Sequence, residues 1–260
     1  ARPVVPRAAV LSSLGVVLTA ALTGVFCRFA LGIGWMESLL IGSVLGSTDA
    51  ASVFSILRSK RLSLKYGTSS LLELESGSND PCAYMLTVVV LSIMKGTGSV
   101  WDIAFMVFAQ VAYGAAIGVA VAFAALWFLR HFRFSTDGFD AAFVLAVAVL
   151  SYALPTAVGG NGYLSAYLVG ILLGNRSFPR RKALVHFFDG LTGLMQMLIF
   201  FLLGLLAFPS QMPAILAPSL LIALFLTLAA RPAAVFLLLA PFRAKLSQKL
   251  VVSWAGLRGA

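Results

Sequence analysis

Charge is scarce in this sequence. Only 11% of its 260 residues are charged, against about 25% in a soluble domain. Hydrophobic residues make up 60% and the mean hydropathy is +0.99. A soluble fold this apolar would have almost no wettable surface, so soluble classes are excluded. Cysteine and histidine are nearly absent, with two of each. Cys27 and Cys82 fall in apolar runs without CxxC spacing, which excludes a disulfide framework or thiolate metal pair. His131 and His186 lie far apart in basic stretches, so no metal site and no Ser–His pair is expected. No Gly-x-Ser-x-Gly nucleophile is present. The chain is not expected to be an enzyme or to carry a cofactor.

What is abundant is the apolar run. Runs of about 20 residues predict an all-α, polytopic membrane protein. Nine are expected: about 8–27, 37–57, 69–94, 102–129, 139–158, 163–174, 188–208, 214–240, and one beginning after Lys249. The fourth carries Gly114 and Gly118 at helix-packing spacing. The net charge of +10 would suit a nucleic-acid partner, but its distribution does not. Arg2 and Arg7, Arg58 to Lys65, Arg130 and Arg133, Arg176 to Lys182, and Arg243 to Lys249 alternate with apolar runs. This marks cytoplasmic loops and puts the N-terminus inside. The outer loops then hold only Arg28 and Lys95. No soluble domain or long linker fits in the gaps. The sequence starts without methionine and stops inside an expected helix. Residues 1–260 therefore read as one transmembrane domain truncated at both ends.

The few acids are placed where they are costly. Asp49 lies within the second run, after Gly46-Ser47-Thr48, and Glu73, Glu75 and Asp80 lie within the third. An ionisable residue at membrane depth points to a functional site. For Asp49 two readings stand: it flanks an unwound helix whose freed carbonyls coordinate a cation, or it caps the half-helix that follows. In the third run Ser76 and Asp80 are i,i+4 and share a face. Glu75 and Asn79 form the adjacent stripe. Pro81 cannot donate a backbone hydrogen bond, which leaves the Gly77 carbonyl free. A carboxylate, a hydroxyl and a spare carbonyl on one arc suit a hard cation. Arg231, followed by Pro232, and Arg258, between Gly256 and Gly259, bring positive charge into late apolar runs. A buried arginine needs a partner. Glu75 is the candidate for Arg231, with snorkelling to an interface as the alternative. Glu73 and Arg258 are candidates for an ion path, and Arg258 could equally anchor a cytoplasmic edge.

These residues resemble a known family. Ser47-Thr48-Asp49, Glu75-Ser76-Gly77-Ser78-Asn79-Asp80, Gly162-Tyr163-Leu164, Arg231-Pro232 and Gly256-Leu257-Arg258-Gly259-Ala260 are similar to the monovalent cation/proton antiporters of NhaP type, in the same order. Asp189-Gly190 to Pro209-Ser210 looks most like the potassium/proton branch. The resemblance implies inverted repeats with crossed, discontinuous helices, formed here by the second and ninth runs. It implies that Asp80 binds cation or proton, with Ser76 and the Thr48 carbonyl as helpers. Asn79 and Asp49 would stabilise the crossing and Glu75 would pair with Arg231. It also implies exchange of K+ or Na+ for H+ across a cell inner (plasma) membrane by a homodimer. Ala50 and Pro81 depart from many relatives, which have proline and a small residue there. A cation channel or a non-transporting ion sensor on the same fold is the alternative function.

Overall fold

The computed structural model describes residues 4–49, 64–96, 98–132, 134, 138–178 and 181–256. They form nine helices and no strand among the described residues. In chain order these are α1 Val5–Leu31, α2 Trp35–Val44, α3 Thr68–Met94, α4 Val100–His131, α5 Phe139–Ala157, α6 Gly162–Gly174, α7 Arg181–Leu206, α8 Met212–Leu239 and α9 Leu246–Trp254. The protein is a multi-pass helical membrane protein: α1, α4, α5, α7 and α8 are each long and apolar enough to cross a bilayer. The chain forms two compact units, residues 1–98 with 208–260, and residues 99–207.

In the first unit, α1 and α8 each contain one wide π turn, Leu11–Gly15 and Leu226–Ala230. Both have local causes. Ser12 and Ser13 donate back to the Ala9 carbonyl at 3.3 and 2.6 Å, which disturbs the helical ladder. Pro232 cannot donate to the Leu228 carbonyl, and the turn before it widens. The core joins Val4, Ala8 and Leu11 of the α1 end to Leu71 and Leu72 of α3, Val235 and Leu239 of α8, and Val252 of α9. Phe26 of α1 stacks on Phe225 of α8 with ring centres 4.1 Å apart.

The second unit is built on close helix approach. A Cβ on Gly118 of α4 would lie 2.8 Å from the Ser165 Cα of α6, and one on Gly114 would lie 2.8 Å from the Asn161 carbonyl oxygen. Only glycine lets these backbones meet. Ser99 and Asp102 form a capping box that starts α4, and Asn161 caps α6 by accepting from the Leu164 amide at 3.0 Å. The core is Ala122, Ala125, Leu129, Val147, Val169 and Leu173.

One expectation shifts. The basic stretch at 181–186 is helical, so α7 starts at Arg181 and not near 188, and His186 lies within it. The second run, read as a broken helix, stops at Val44, ahead of Ser47.

Candidate functional site

The site lies within the first unit, where the end of α2 meets the middle of α3. Helix α2 closes on Leu45, whose amide reaches the Ile41 carbonyl at 3.0 Å, while the Gly46 amide reaches Ser43 at 3.3 Å. From Ser47 to Asp49 the backbone is not helical. Serine and threonine here compete for backbone partners and favour the break. In contrast, α3 runs unbroken through Pro81. The Ser78 hydroxyl donates to the Leu74 carbonyl at 2.5 Å one turn earlier. Thr87 of α3 also donates to Ser43 of α2 at 3.2 Å, about two turns beyond Asp80.

A chain of polar side chains links the broken segment to α3. The Asn79 amide nitrogen donates to the Thr48 hydroxyl. The Thr48 and Ser76 hydroxyls are 3.2 Å apart. The Ser47 hydroxyl donates to the Asn79 amide oxygen at 3.0 Å and to an Asp80 carboxylate oxygen. Thr48, Ser76 and Asn79 are each 1% exposed, whereas Asp80 is exposed and Ser47 half-buried. The carboxylate therefore stands at the open edge of a closed polar cluster. Asp49 is near enough for its charge to act on Asp80.

On the neighbouring stripe of α3, Glu75 meets Arg231. Nη1 lies 2.7 Å from Oε1 and Nη2 donates to Oε2 at 2.8 Å. Nη2 also reaches the Val252 carbonyl of α9 at 3.4 Å. Both side chains are almost wholly buried, 1% and 3% exposed. The fork-to-fork geometry satisfies two charges together. The wide turn at Leu226–Ala230 ends at Arg231. Gly256 makes room on the far side, since a Cβ there would sit 2.7 Å from Arg231 Nε.

Of the residues singled out from the sequence, the structure brings together Thr48, Ser76, Asn79 and Asp80, with Asp49 alongside, and pairs Glu75 with Arg231. It is the Thr48 hydroxyl, read before as a carbonyl contribution, that enters the network. Glu73 is exposed on α3, two turns before Asp80, and takes no part in the cluster's hydrogen bonds among the described residues. Arg258, the departure at Ala50 and the far half of each crossed helix lie outside the described residues. Ser47 was not among the candidate ligands. Its signal was a hydroxyl beside Thr48 in an apolar run, within a segment read as unwound.

A helix that stops beside a cluster of a carboxylate, hydroxyls and an amide is the kind of break that builds ion sites in membrane transporters. The family of sodium/hydrogen exchangers, transmembrane, matches residues 2–260, and the chain belongs to it. The K(+)/H(+) antiporter NhaP of Alkalimonas amylolytica is 39% identical over 254 residues, covering 97% of this chain and 44% of the relative. The K(+)/H(+) antiporter NhaP2 of Shewanella oneidensis is also 39% identical over 254 residues, with 96% and 44% covered. The chain thus spans less than half the length of these relatives. The solved sodium proton antiporter MjNhaP1 of Methanocaldococcus jannaschii, at pH 8, superposes with a TM-score of 0.86 over 99% of this chain and 64% of its own, at 24% identity. That likeness establishes the antiporter fold.

Proposed function

We propose that the protein exchanges a monovalent cation, K+ or Na+, for H+ by secondary antiport, with Asp80 as the shared site. The observation that carries this reading is the Ser47–Thr48–Ser76–Asn79–Asp80 cluster at a helix break. It offers convergent oxygens and one accessible carboxylate, the donor set a hard monovalent cation accepts. Relatives named as K(+)/H(+) antiporters and one named as a Na(+)/H(+) antiporter, NhaS2 of Synechocystis sp., 25% identical over 207 residues, support both cations as candidates.

The exchange is electroneutral in this reading, one proton per cation. Asn79 cannot ionise. Glu75 is committed to its ion pair with Arg231, and Asp49 is assigned to the helix break. That leaves Asp80 to take up and release a proton. Thr48, Ser76 and Asn79 hold the break against α3 so that the carboxylate meets fixed oxygens. Glu73 and Arg258 belong to the ion path. Residues 1–260 are part of one transporter domain, the protein is a homodimer in the cell inner (plasma) membrane, and the N-terminus faces the cytoplasm.

The test is ion-dependent proton flux by the full-length protein in liposomes, comparing Na+, K+ and Li+. Asp80→Asn should abolish movement of both ions while the protein still folds. An imposed membrane potential should leave exchange unchanged. Residual exchange in Asp80→Asn, or voltage-driven net proton uptake by the wild type, would overturn the mechanism. For orientation, a cysteine at Arg61 or Lys182 should react only with cytoplasmic thiol reagents and one at Gly98 only with external ones.

A further inference from the structure

We infer that Ser47 is a direct ligand of the transported cation and that its hydroxyl sets the cation affinity of the site. The inference rests on the antiport reading for the identity of the cargo, and on hydrogen-bond accounting for the residue. A serine hydroxyl has one proton. Here two acceptors lie within its reach, the Asn79 amide oxygen at 3.0 Å and an Asp80 carboxylate oxygen. The proton can serve one well and not both. If it turns to Asp80, the Asn79 oxygen, in a side chain only 1% exposed, is left facing other oxygens. If it turns to Asn79, the charged carboxylate loses its donor. The first arrangement leaves a buried acceptor unmatched beside two more oxygens, which is costly at low dielectric.

A monovalent cation resolves this conflict. It can accept lone pairs from all three oxygens at once, while the hydroxyl hydrogen rotates away. The amide is oriented for that role. Asn79 donates through its nitrogen to Thr48, and Thr48 is fixed in turn against Ser76. The nitrogen is therefore held away and the oxygen presented toward Ser47 and Asp80. Ser47 adds a neutral oxygen from the non-helical segment. Of the charged groups on the elements around α3, Arg7 donates to the Phe242 carbonyl, Arg28 to the Ile33 carbonyl and Lys245 to the Tyr66 hydroxyl, Glu75 holds Arg231, and Glu73 is exposed two turns away. Asp49 adds a second negative charge near Asp80 and favours a cation there.

The experiment compares wild type, Ser47→Ala, Ser47→Thr and Ser47→Cys as full-length proteins. Two quantities are read for K+, Na+ and Li+: half-saturating concentration and maximal rate of proton flux in liposomes, and cation-dependent thermal stabilisation in detergent. Losing one ligand oxygen should raise the half-saturating concentration about tenfold, the scale of one net polar contact. Maximal rate should be kept, and discrimination among the three ions should narrow. Ser47→Thr, which retains the hydroxyl, should stay close to wild type. Ser47→Ala with unchanged half-saturation and selectivity would overturn the inference, as would a loss of maximal rate alone, the mark of a structural role. Should Ser47→Ala fail to fold, Ser47→Cys decides, because its sulfur is a poor ligand for hard cations. Wild-type half-saturation in Ser47→Cys would then overturn it. A wild type that is stabilised by cations but moves no protons would sink the antiport reading alone, and Ser47 would still be judged by the stabilisation it confers. Absence of stabilisation by any of the three ions would overturn the site itself.

Discussion

The two units solve the problem of helix packing in a membrane by opposite means. The second unit, residues 99–207, relies on shape. Among the described residues its buried polar side chains are Gln110, Ser151, Asn161 and Ser165, and its core is aliphatic residues of α4, α5 and α6. The first unit buries a carboxylate, a guanidinium, an amide and a series of hydroxyls. Two of its helices, α2 and α9, have 10 and 9 residues and fall short of a full span. The third helix of that group, α3, is 27 residues long but is interrupted by acids. In the second unit α6, apolar but only 13 residues long, also falls short of a span; within the first unit the helices that do not qualify by length and apolarity are α2, α3 and α9. The same three helices carry the cluster around Asp80 and the partners of Arg231. Inside a membrane, short helix ends and acids within a helix that still belongs to the bundle point to a functional site.

The largest effect that would break this contrast is expected at the ion pair. Removing one partner of a buried pair costs about 3–5 kcal/mol, because the other charge is left uncompensated. Glu75→Gln and Arg231→Ala should both reduce the yield of folded protein and lower the melting temperature in detergent. Cation affinity of the remaining folded material should change far less, since the pair lies on the stripe beside Asp80. Normal folding of either variant would show that the first unit is held by shape as well.

A middle-sized effect is expected in the second unit. Valine at Gly118 would force α4 away from the Ser165 backbone, which already lies within 2.8–2.9 Å of a Cβ there. Overpacking of this kind costs about 1–3 kcal/mol. Gly118→Val should lower the melting temperature with no shift in half-saturating cation concentration. A change in cation affinity without loss of stability would mean that the second unit takes part in the ion site.

Much of this was legible in the sequence, and the reason differs by region. Spans such as α4 and α5 were placed within two residues of their ends, because long apolar runs bounded by basic or glycine-rich turns leave little freedom. Gly114 and Gly118 were readable from their spacing. Glu75 with Arg231 was readable because few other charges were available. The start of α7 was misplaced because Arg181, Lys182 and His186 look like a loop by polarity, yet nothing there breaks a helix. The stop at Val44 was harder still. Ser47, Thr48 and Asp49 suggested an unwound segment, but which hydroxyl faces Asp80 depends on the angle at which the broken chain crosses α3. That angle is tertiary, and periodicity along one helix does not encode it.

The smallest expected effect sharpens the comparison from the other side. Gly170 and Gly174 of α6 have the same four-residue spacing as the α4 glycines, and by sequence alone the two pairs are equivalent. In the structure they are not: a Cβ on either α6 glycine would meet nothing within 4 Å. Alanine at Gly170 therefore removes no contact and adds no clash. It limits the unfolded backbone and favours the helix, a gain of up to about 1 kcal/mol for an interior glycine. Gly170→Ala should leave the melting temperature unchanged or slightly raised and leave transport kinetics intact. A marked loss of stability in Gly170→Ala would reveal a surface that packs tightly against a neighbour in the assembled protein. The dependence on shape would then extend beyond the α4–α6 contact to the outer face of the second unit.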